Sequence, residues 1–333
     1  MNKQSKKIYS SLMNRIAIAM MLNQLIMSLL GALLSTIEPV LELLFCKESL
    51  CDITVGLLEC AIYLLSFALP MNIFNKMNKN APREIYEPVE NKKMPPKIVF
   101  FAVCFTLGAT IIASYINYYA VNILWDYSSF TMENLWSVEL KQPYQLVIYF
   151  AYSAIIPAFA EEYFFRETIC KSLTVYGKKT AIFASALLFA LMHANIEQII
   201  YAFVGGALLA WVYVETKNIA IPIFVHFLNN GISVIGDIIK AMYGATVSDM
   251  YFLISDAVIF ALALVSLAVI IIYAKKKGRL IDNLILKPDE NGNIVEPLSV
   301  SERISGFFSI GIILYTVYSV VTMIGLVCLS VLM

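Results

Sequence analysis

The stretch MYFLISDAVIFALALVSLAVIIIYA, residues 250–274, decides the class of fold. A helix needs about 20 predominantly apolar residues, at 1.5 Å rise each, to cross the hydrocarbon core of a bilayer, and this stretch has the length and the composition. It stops against Lys275, Lys276, Lys277 and Arg279. The pattern recurs in both directions, giving nine candidate spans at about 16–37, 54–74, 98–124, 144–173, 179–196, 197–214, 219–239, 250–274 and 305–332. In hydrocarbon every backbone N–H and C=O must be satisfied internally, so a spanning segment is a helix or part of a closed barrel. Barrel strands alternate over about ten residues, whereas these blocks are continuous. The expected fold is all-α: a polytopic transmembrane helix bundle of eight to nine spans.

Composition agrees. Apolar residues make up 60% of the 333-residue chain and charged residues 14%, against about 25% charge in a soluble domain. The 24 basic and 24 acidic residues cancel, which gives no case for a nucleic acid partner. Among the six cysteines, Cys60, Cys104, Cys170 and Cys328 lie in apolar blocks and read as small hydrophobes. Cys46 and Cys51 share a short polar connection and are a candidate disulfide pair. The apolar stretch from Ile16 to Ile37 exceeds the roughly 7–15 residues of a signal-peptide core and reads as the first span.

Short loops rich in Lys and Arg stay cytoplasmic. Lys3, Lys6, Lys7 and Arg15 precede the first span; Lys76, Lys79, Arg83, Lys92, Lys93 and Lys97 follow the second; Lys171, Lys178 and Lys179 follow the fourth. The alternate loops carry Glu48 and Asp52, then Asp126, Glu133 and Glu139, then Asp237 and Asp249. The alternation predicts a cytoplasmic N-terminus. It divides the chain into residues 1–143, three N-terminal spans with a cytoplasmic loop at 75–97; residues 144–239, a central core; and residues 240–333, two C-terminal spans with a cytoplasmic loop at 275–304. Prolines 82, 88, 95 and 96 keep the first of these loops from forming one helix.

Ionisable side chains inside a span are costly and usually carry function. The central core holds most of them. Its first span contains Ala160-Glu161-Glu162-Tyr163-Phe164-Phe165-Arg166. Helical neighbours point about 100° apart, so the two carboxylates are not expected to face one point. Glu162 and Arg166, at i and i+4, share a face, leaving Glu161 to look elsewhere. Glu161 lies ten residues, about 15 Å, from Lys171, and Pro157 just before it is placed to kink the span. The chain's two histidines, His193 and His226, lie in other spans at matching depth, and Asn230 shares a helix face with His226. Glu161 then suits a general base for water, His193 a partner that positions the water or shares its proton, and His226 with Asn230 donors to an oxyanion. Alternatively, Glu161, His193 and His226 are a candidate Zn²⁺ set. Ala202, Gly206 and Ala210 at four-residue spacing predict close helix packing.

Glu161-Glu162-xxx-Arg166, Phe189-xxx-His193 and His226-xxx-Asn230, in that order, resemble the three motifs of the CPBP family, which comprises type II CAAX prenyl endopeptidases and the bacteriocin-processing or immunity proteins called Abi. The resemblance covers about 144–239. It implies an intramembrane endopeptidase in a multi-pass, bacterial cytoplasmic membrane protein, with a cavity facing the cytosol. It implies Glu161 as the base, His193 as its partner, His226 and Asn230 at the oxyanion, and Glu162 with Arg166 shaping the site. It implies a membrane-associated substrate: a prenylated CAAX protein, a peptide pheromone or a bacteriocin precursor. It leaves both a metalloprotease and a metal-free mechanism open, so that no cofactor is assigned and zinc stays a candidate. The competing readings are a non-catalytic immunity or scaffold protein of the same fold and a proton-coupled transporter.

Overall fold

The computed structural model describes residues 2–45, 47–79, 87–88, 94–128, 142–277, 284–285 and 298–332. It is helical almost throughout: α1 (Asn2–Leu44), α2 (Glu48–Lys79), α3 (Pro96–Ser128), α4 (Pro143–Tyr176), α5 (Lys178–His193), α6 (Ile199–Thr216), α7 (Ala220–Tyr243), α8 (Ala245–Lys277), α9 (Val300–Phe307) and α10 (Ile310–Leu332). Among the described residues the only extended pairing is antiparallel, Glu87–Pro88 against Leu284–Ile285. Most of the loops expected at 75–97 and 275–304 falls outside the described residues. So does Cys46, and with it the candidate disulfide to Cys51.

The all-α fold is borne out. Seven helices are long and apolar enough to cross a membrane, or eight, the lower of the expected counts, if α9 and α10, bent by 61° at their junction, count as one. Nine is too many because α5 has only 16 residues, about 24 Å of rise. It stops at His193, where Ala194 takes the left-handed region at φ 45. The turn that follows is held in place. Asn195 Oδ1 accepts from Glu197 N at 2.9 Å. From α3, Asn117 Oδ1 accepts from Ile200 N at 2.9 Å, and its amide donates to the Glu197 carbonyl. Helices α5 and α6 are therefore a hairpin whose turn is tied to α3.

The helix ends sort into two sets. At one end Arg15 of α1 donates to Asn78 of α2 at 2.8 Å, Lys178 of α5 pairs with Glu215 of α6 at 2.7 Å, and Arg303 of α9 donates to the Tyr176 carbonyl of α4 at 2.8 Å. Lys79 and Lys171 line one cavity there. This is the lysine end. At the other, Tyr144 donates to Asp52, Tyr149 to Asp237 and Tyr115 to Asp256, each at 2.8 Å. This is the aspartate end.

Leu29, Ile254 and Val265 are well exposed, as a lipid-facing surface requires. The central core instead packs tightly, and α6 shows why its small residues matter. A Cβ on Gly206 would lie 3.0 Å from the Phe189 ring and 3.4 Å from the Ala186 backbone, and Ala202 and Ala210 are buried on the same helix. Gly206→Leu is expected to push α5 off α6 and to cost about 1–3 kcal/mol of stability by overpacking. The measurement is the thermal midpoint of the detergent-solubilised protein. An unchanged midpoint would show that the contact is not tight.

Candidate active site

Helix α4 does not wind uniformly. It changes to π geometry at Ala151–Ile155, returns to α at Ile156–Glu162 and is π again at Tyr163–Cys170. Such widened turns are frequent at functional sites. The first lies just before Pro157, which has no N–H to give to the carbonyl four residues back. That carbonyl belongs to Ser153, and the Asn230 amide of α7 donates to it at 3.1 Å. The proline thus opens a backbone acceptor, and the asparagine predicted for the site uses it to tie α7 to α4.

Just beyond, Glu161 and Glu162 are both buried, at 4% and 0% exposure. Glu162 Oε2 lies 2.8 Å from Arg166 Nε, and Arg166 Nη2 donates to Glu162 Oε1 at 3.2 Å. Arg166 also donates to Ser185 Oγ at 3.3 Å, and its guanidinium sits 4.9 Å from the centroid of the Phe189 ring. The i, i+4 pairing is as expected. The expectation that the two carboxylates would serve separate partners is not. His226 stands between them, with Nδ1 2.9 Å from Glu162 Oε1 and Nε2 3.9 Å from Glu161 Oε2. An imidazole carries its two nitrogens on different sides, so two adjacent helical residues reach one ring without facing one point.

Glu161 has one oxygen tied and one available. Tyr63 of α2 donates to Oε1. Oε2 is buried and has no hydrogen-bond partner. The distance of 3.9 Å from Oε2 to His226 Nε2 is too long for a direct bond and leaves room for one water at about 2.8 Å from each. His193, at the tip of α5, has Nδ1 2.8 Å from the Phe189 carbonyl. A carbonyl only accepts, so Nδ1 carries the proton and the Nε2 lone pair is available. By the same logic, His226 Nδ1 donates to the Glu162 carboxylate.

Glu161, His193, Asn229 and Asn230 all line a cavity of about 880 Å³, and Glu161, His193, His226 and Asn230 line a smaller one of about 70 Å³ beneath it. The four predicted residues thus meet around one space, with Glu162 and Arg166 behind them. Glu161, His193 and His226 do not form the zinc set that the sequence left open. Among the described residues no group of three or more His, Cys, Asp or Glu side chains is placed to hold a metal ion. The separation of 3.9 Å between Glu161 and His226 also exceeds the roughly 3.3 Å at which a tetrahedral zinc would hold two such ligands.

Sequence reasoning missed three supports. Tyr63 lies 98 positions from Glu161 in an ordinary apolar block. Gln24 of α1 donates at 2.8 Å to the Met192 carbonyl, one of those left unpaired at the end of α5. Asn117 clamps the hairpin tip. Only depth could have flagged them, as polar groups inside predicted spans.

Residues 143–232 match the family model for type II CAAX prenyl endopeptidase Rce1-like proteins, which bears out the resemblance for that segment. The match takes in α4, α5, α6 and half of α7, hence every predicted site residue, and leaves out Tyr63. Two curated proteins are similar. "Membrane-embedded CAAX protease MroQ" of Staphylococcus aureus (strain USA300) is 35% identical over 98 residues, which is 27% of this chain and 40% of that protein. "Putative membrane peptidase YdiL" of Bacillus subtilis (strain 168) is 30% identical over 139 residues, 41% of this chain and 52% of that protein. The chain thus spans about half or less of the length of the curated relatives it matches. No solved structure matches.

Proposed function

We propose that the chain, with its Rce1-like segment at 143–232, is an intramembrane endopeptidase that hydrolyses a peptide bond of a membrane-associated peptide or protein with water activated by Glu161. The carrying observation is the buried, unpartnered Glu161 Oε2, aimed at His226 Nε2 across a gap of 3.9 Å.

Water held in that gap gives a proton to Glu161 Oε2 as its oxygen attacks the substrate carbonyl. His193 Nε2, with its lone pair available, accepts from the water's other O–H and so orients it. Negative charge then develops on the carbonyl oxygen. His226, when protonated on Nε2, and the second N–H of the Asn230 amide are the donors to it; such preorganised donors act strongly where water is excluded. The proton returns from Glu161 to the leaving amine, the C–N bond breaks, and the acid and amine products separate. Glu162 and Arg166 take no proton; they hold His226.

The test is precursor processing in cells. Glu161→Ala and His193→Ala, each at the protein level of the unaltered chain, are expected to leave the precursor of a secreted or membrane-anchored peptide uncut, as judged by mass spectrometry. Unchanged processing by both variants would end the peptidase reading.

Tyr63 has a part in this reading as a positioning residue. It fixes one carboxylate oxygen so that the other faces the water. A hydrogen bond to a charged group contributes about 1.5–3 kcal/mol, so Tyr63→Phe is expected to lower kcat roughly ten- to a hundredfold with KM unchanged. A rise in KM at constant kcat would instead place Tyr63 in substrate binding.

A further inference from the structure

A second cavity, of about 820 Å³, lies at the lysine end between α1, α2 and α4 and shares no lining residue with the catalytic one. Its charges do not cancel. Arg15, Lys79 and Lys171 line it, and Glu167 is its one carboxylate among the described residues. Glu167 is already engaged on both oxygens: Oε1 pairs with Lys171, and Oε2 accepts from Tyr213 at 2.6 Å. Two cations are left over. Arg15 donates from Nε to Asn78 and from Nη1 to Ser11, each at 2.8 Å, while its Nη2 has no hydrogen-bond partner among the described residues. Lys79, at the exposed end of α2, has no ion-pair partner among them either. Asn78 turns its carbonyl oxygen to Arg15, so its amide N–H groups remain as donors beside the guanidinium.

The same cavity has an apolar part. Ile8, Leu12 and Val175 stand beside the cations. Met71 precedes Lys79 on α2 by eight residues, which places it about 12 Å further from the lysine end. Tyr163 precedes Lys171 on α4 by the same number of residues, lines the cavity and is 42% exposed. Unpaired cations at the end of the bundle with apolar and aromatic surface further in are the order of polarity of a lipid standing in one leaflet. A dissolved anion would meet the cations and leave the apolar walls without a partner; an amphiphile with an anionic head meets both.

We infer that this cavity binds an anionic phospholipid, whose phosphate is held by Arg15 and Lys79 and whose acyl chains run past Met71 and Tyr163. Guanidinium and phosphate form strong charge-assisted hydrogen bonds, and basic pockets between membrane helices take up anionic head groups. A lipid seated there touches α1, α2 and α4 at once. Helix α2 carries Tyr63 and α4 carries Glu161, the two ends of one hydrogen bond in the catalytic site, so the lipid braces the frame on which that bond depends. The binding itself does not rest on the peptidase reading.

The experiment uses the full-length chain, delipidated in detergent, and needs no substrate. Affinity is read by native mass spectrometry over a series of lipid concentrations, and the thermal midpoint is followed in parallel, because a ligand of the folded state raises it. Phosphatidylglycerol is expected to bind roughly tenfold tighter than phosphatidylcholine, whose choline cation opposes the same side chains, and to raise the midpoint where inorganic phosphate does not. Lys79→Gln should weaken phosphatidylglycerol about fivefold, and Arg15→Gln with Lys79→Gln roughly twenty-fivefold. Lys79→Gln lies at an exposed helix end, so it tests the site even if the double variant folds poorly. Lys276→Gln, an exposed lysine of α8 outside the cavity, should leave the affinity unchanged. Equal binding of the two lipids would overturn the inference, as would an equal loss with Lys276→Gln, which would mean attraction to the whole basic surface. Protection by inorganic phosphate equal to that by phosphatidylglycerol would overturn the lipid in favour of a free anion. None of these outcomes touches the Glu161 and His193 test, and failure of that test would leave the lipid result standing.

Discussion

Glu161→Gln is expected to lower the single-turnover cleavage rate of a processed precursor by about 10³- to 10⁴-fold, the upper range for loss of a general base. The substitution keeps the shape of the side chain. Tyr63 still has an oxygen to donate to, so the anchor that now holds Oε1 remains. What changes is the atom on the cavity side. The amide nitrogen that replaces Oε2 cannot accept a proton, and it presents N–H groups to His226 Nε2 across a gap that is now 3.9 Å. A fall of less than tenfold would mean that His193, with its free Nε2, is the base, and Glu161 would be reassigned to orienting the water. A second comparison separates loss of chemistry from loss of fold. Glu161→Gln should leave the thermal midpoint close to that of the unaltered protein, because the neighbouring ion pair is intact, whereas Glu161→Ala removes an acceptor from the buried Tyr63 hydroxyl and should lower it.

The sequence reveals those parts of this site that depend on one helix. Glu162 and Arg166 pair because four residues bring them to one face, and that holds in the structure at 2.8 Å. Gly206 is small because Phe189 and Ala186 crowd it, as the small-residue spacing on α6 indicates. What depends on two helices is less visible. The single ring of His226 serves both glutamates, although the 100° step between neighbours argued against a shared partner. Helical geometry fixes where side chains leave the backbone, not how wide the group between them is. Tyr63 is one aromatic residue among many in an apolar block, and nothing in its surroundings along the chain singles it out.

The span count shows the same limit. Residues 179–196 read as a membrane crossing because apolar letters run on, but the helix there has only 16 residues. The break depends on Ala194 adopting positive φ and on Asn117, on another helix, binding the turn. Pro157 is the exception. Its missing N–H is readable in the sequence, and counting back four residues marks Ser153 as an open carbonyl before any coordinates. The asparagine that fills it, Asn230, reads from the sequence only as an oxyanion donor, because its partner lies on another helix.

The other large effect lies behind the site. Arg166→Met is expected to destabilise the folded protein by about 3–5 kcal/mol, the range for removing one partner of a buried ion pair. Arg166 and Glu162 are both fully buried. With the guanidinium gone, Glu162 keeps only His226 as a polar partner, and its Oε2, now 2.8 Å from Arg166 Nε, faces apolar surroundings. The guanidinium also covers the Phe189 ring at 4.9 Å, and Phe189 supplies the carbonyl that orients His193 at 2.8 Å. One substitution thus disturbs both histidines from behind. The check is unfolding of the solubilised protein, read against two further variants. Arg166→Lys keeps the charge without the planar fork, and should recover part of the loss. Glu162→Gln combined with Arg166→Met removes the stranded charge, so the double variant should be more stable than Arg166→Met alone, because most of the cost comes from a buried charge left without its partner. If the double variant is less stable than Arg166→Met, the ion pair is not what makes Arg166 costly to lose, and the frame behind His226 must instead be the packing of Arg166 between Phe189 and Ser185.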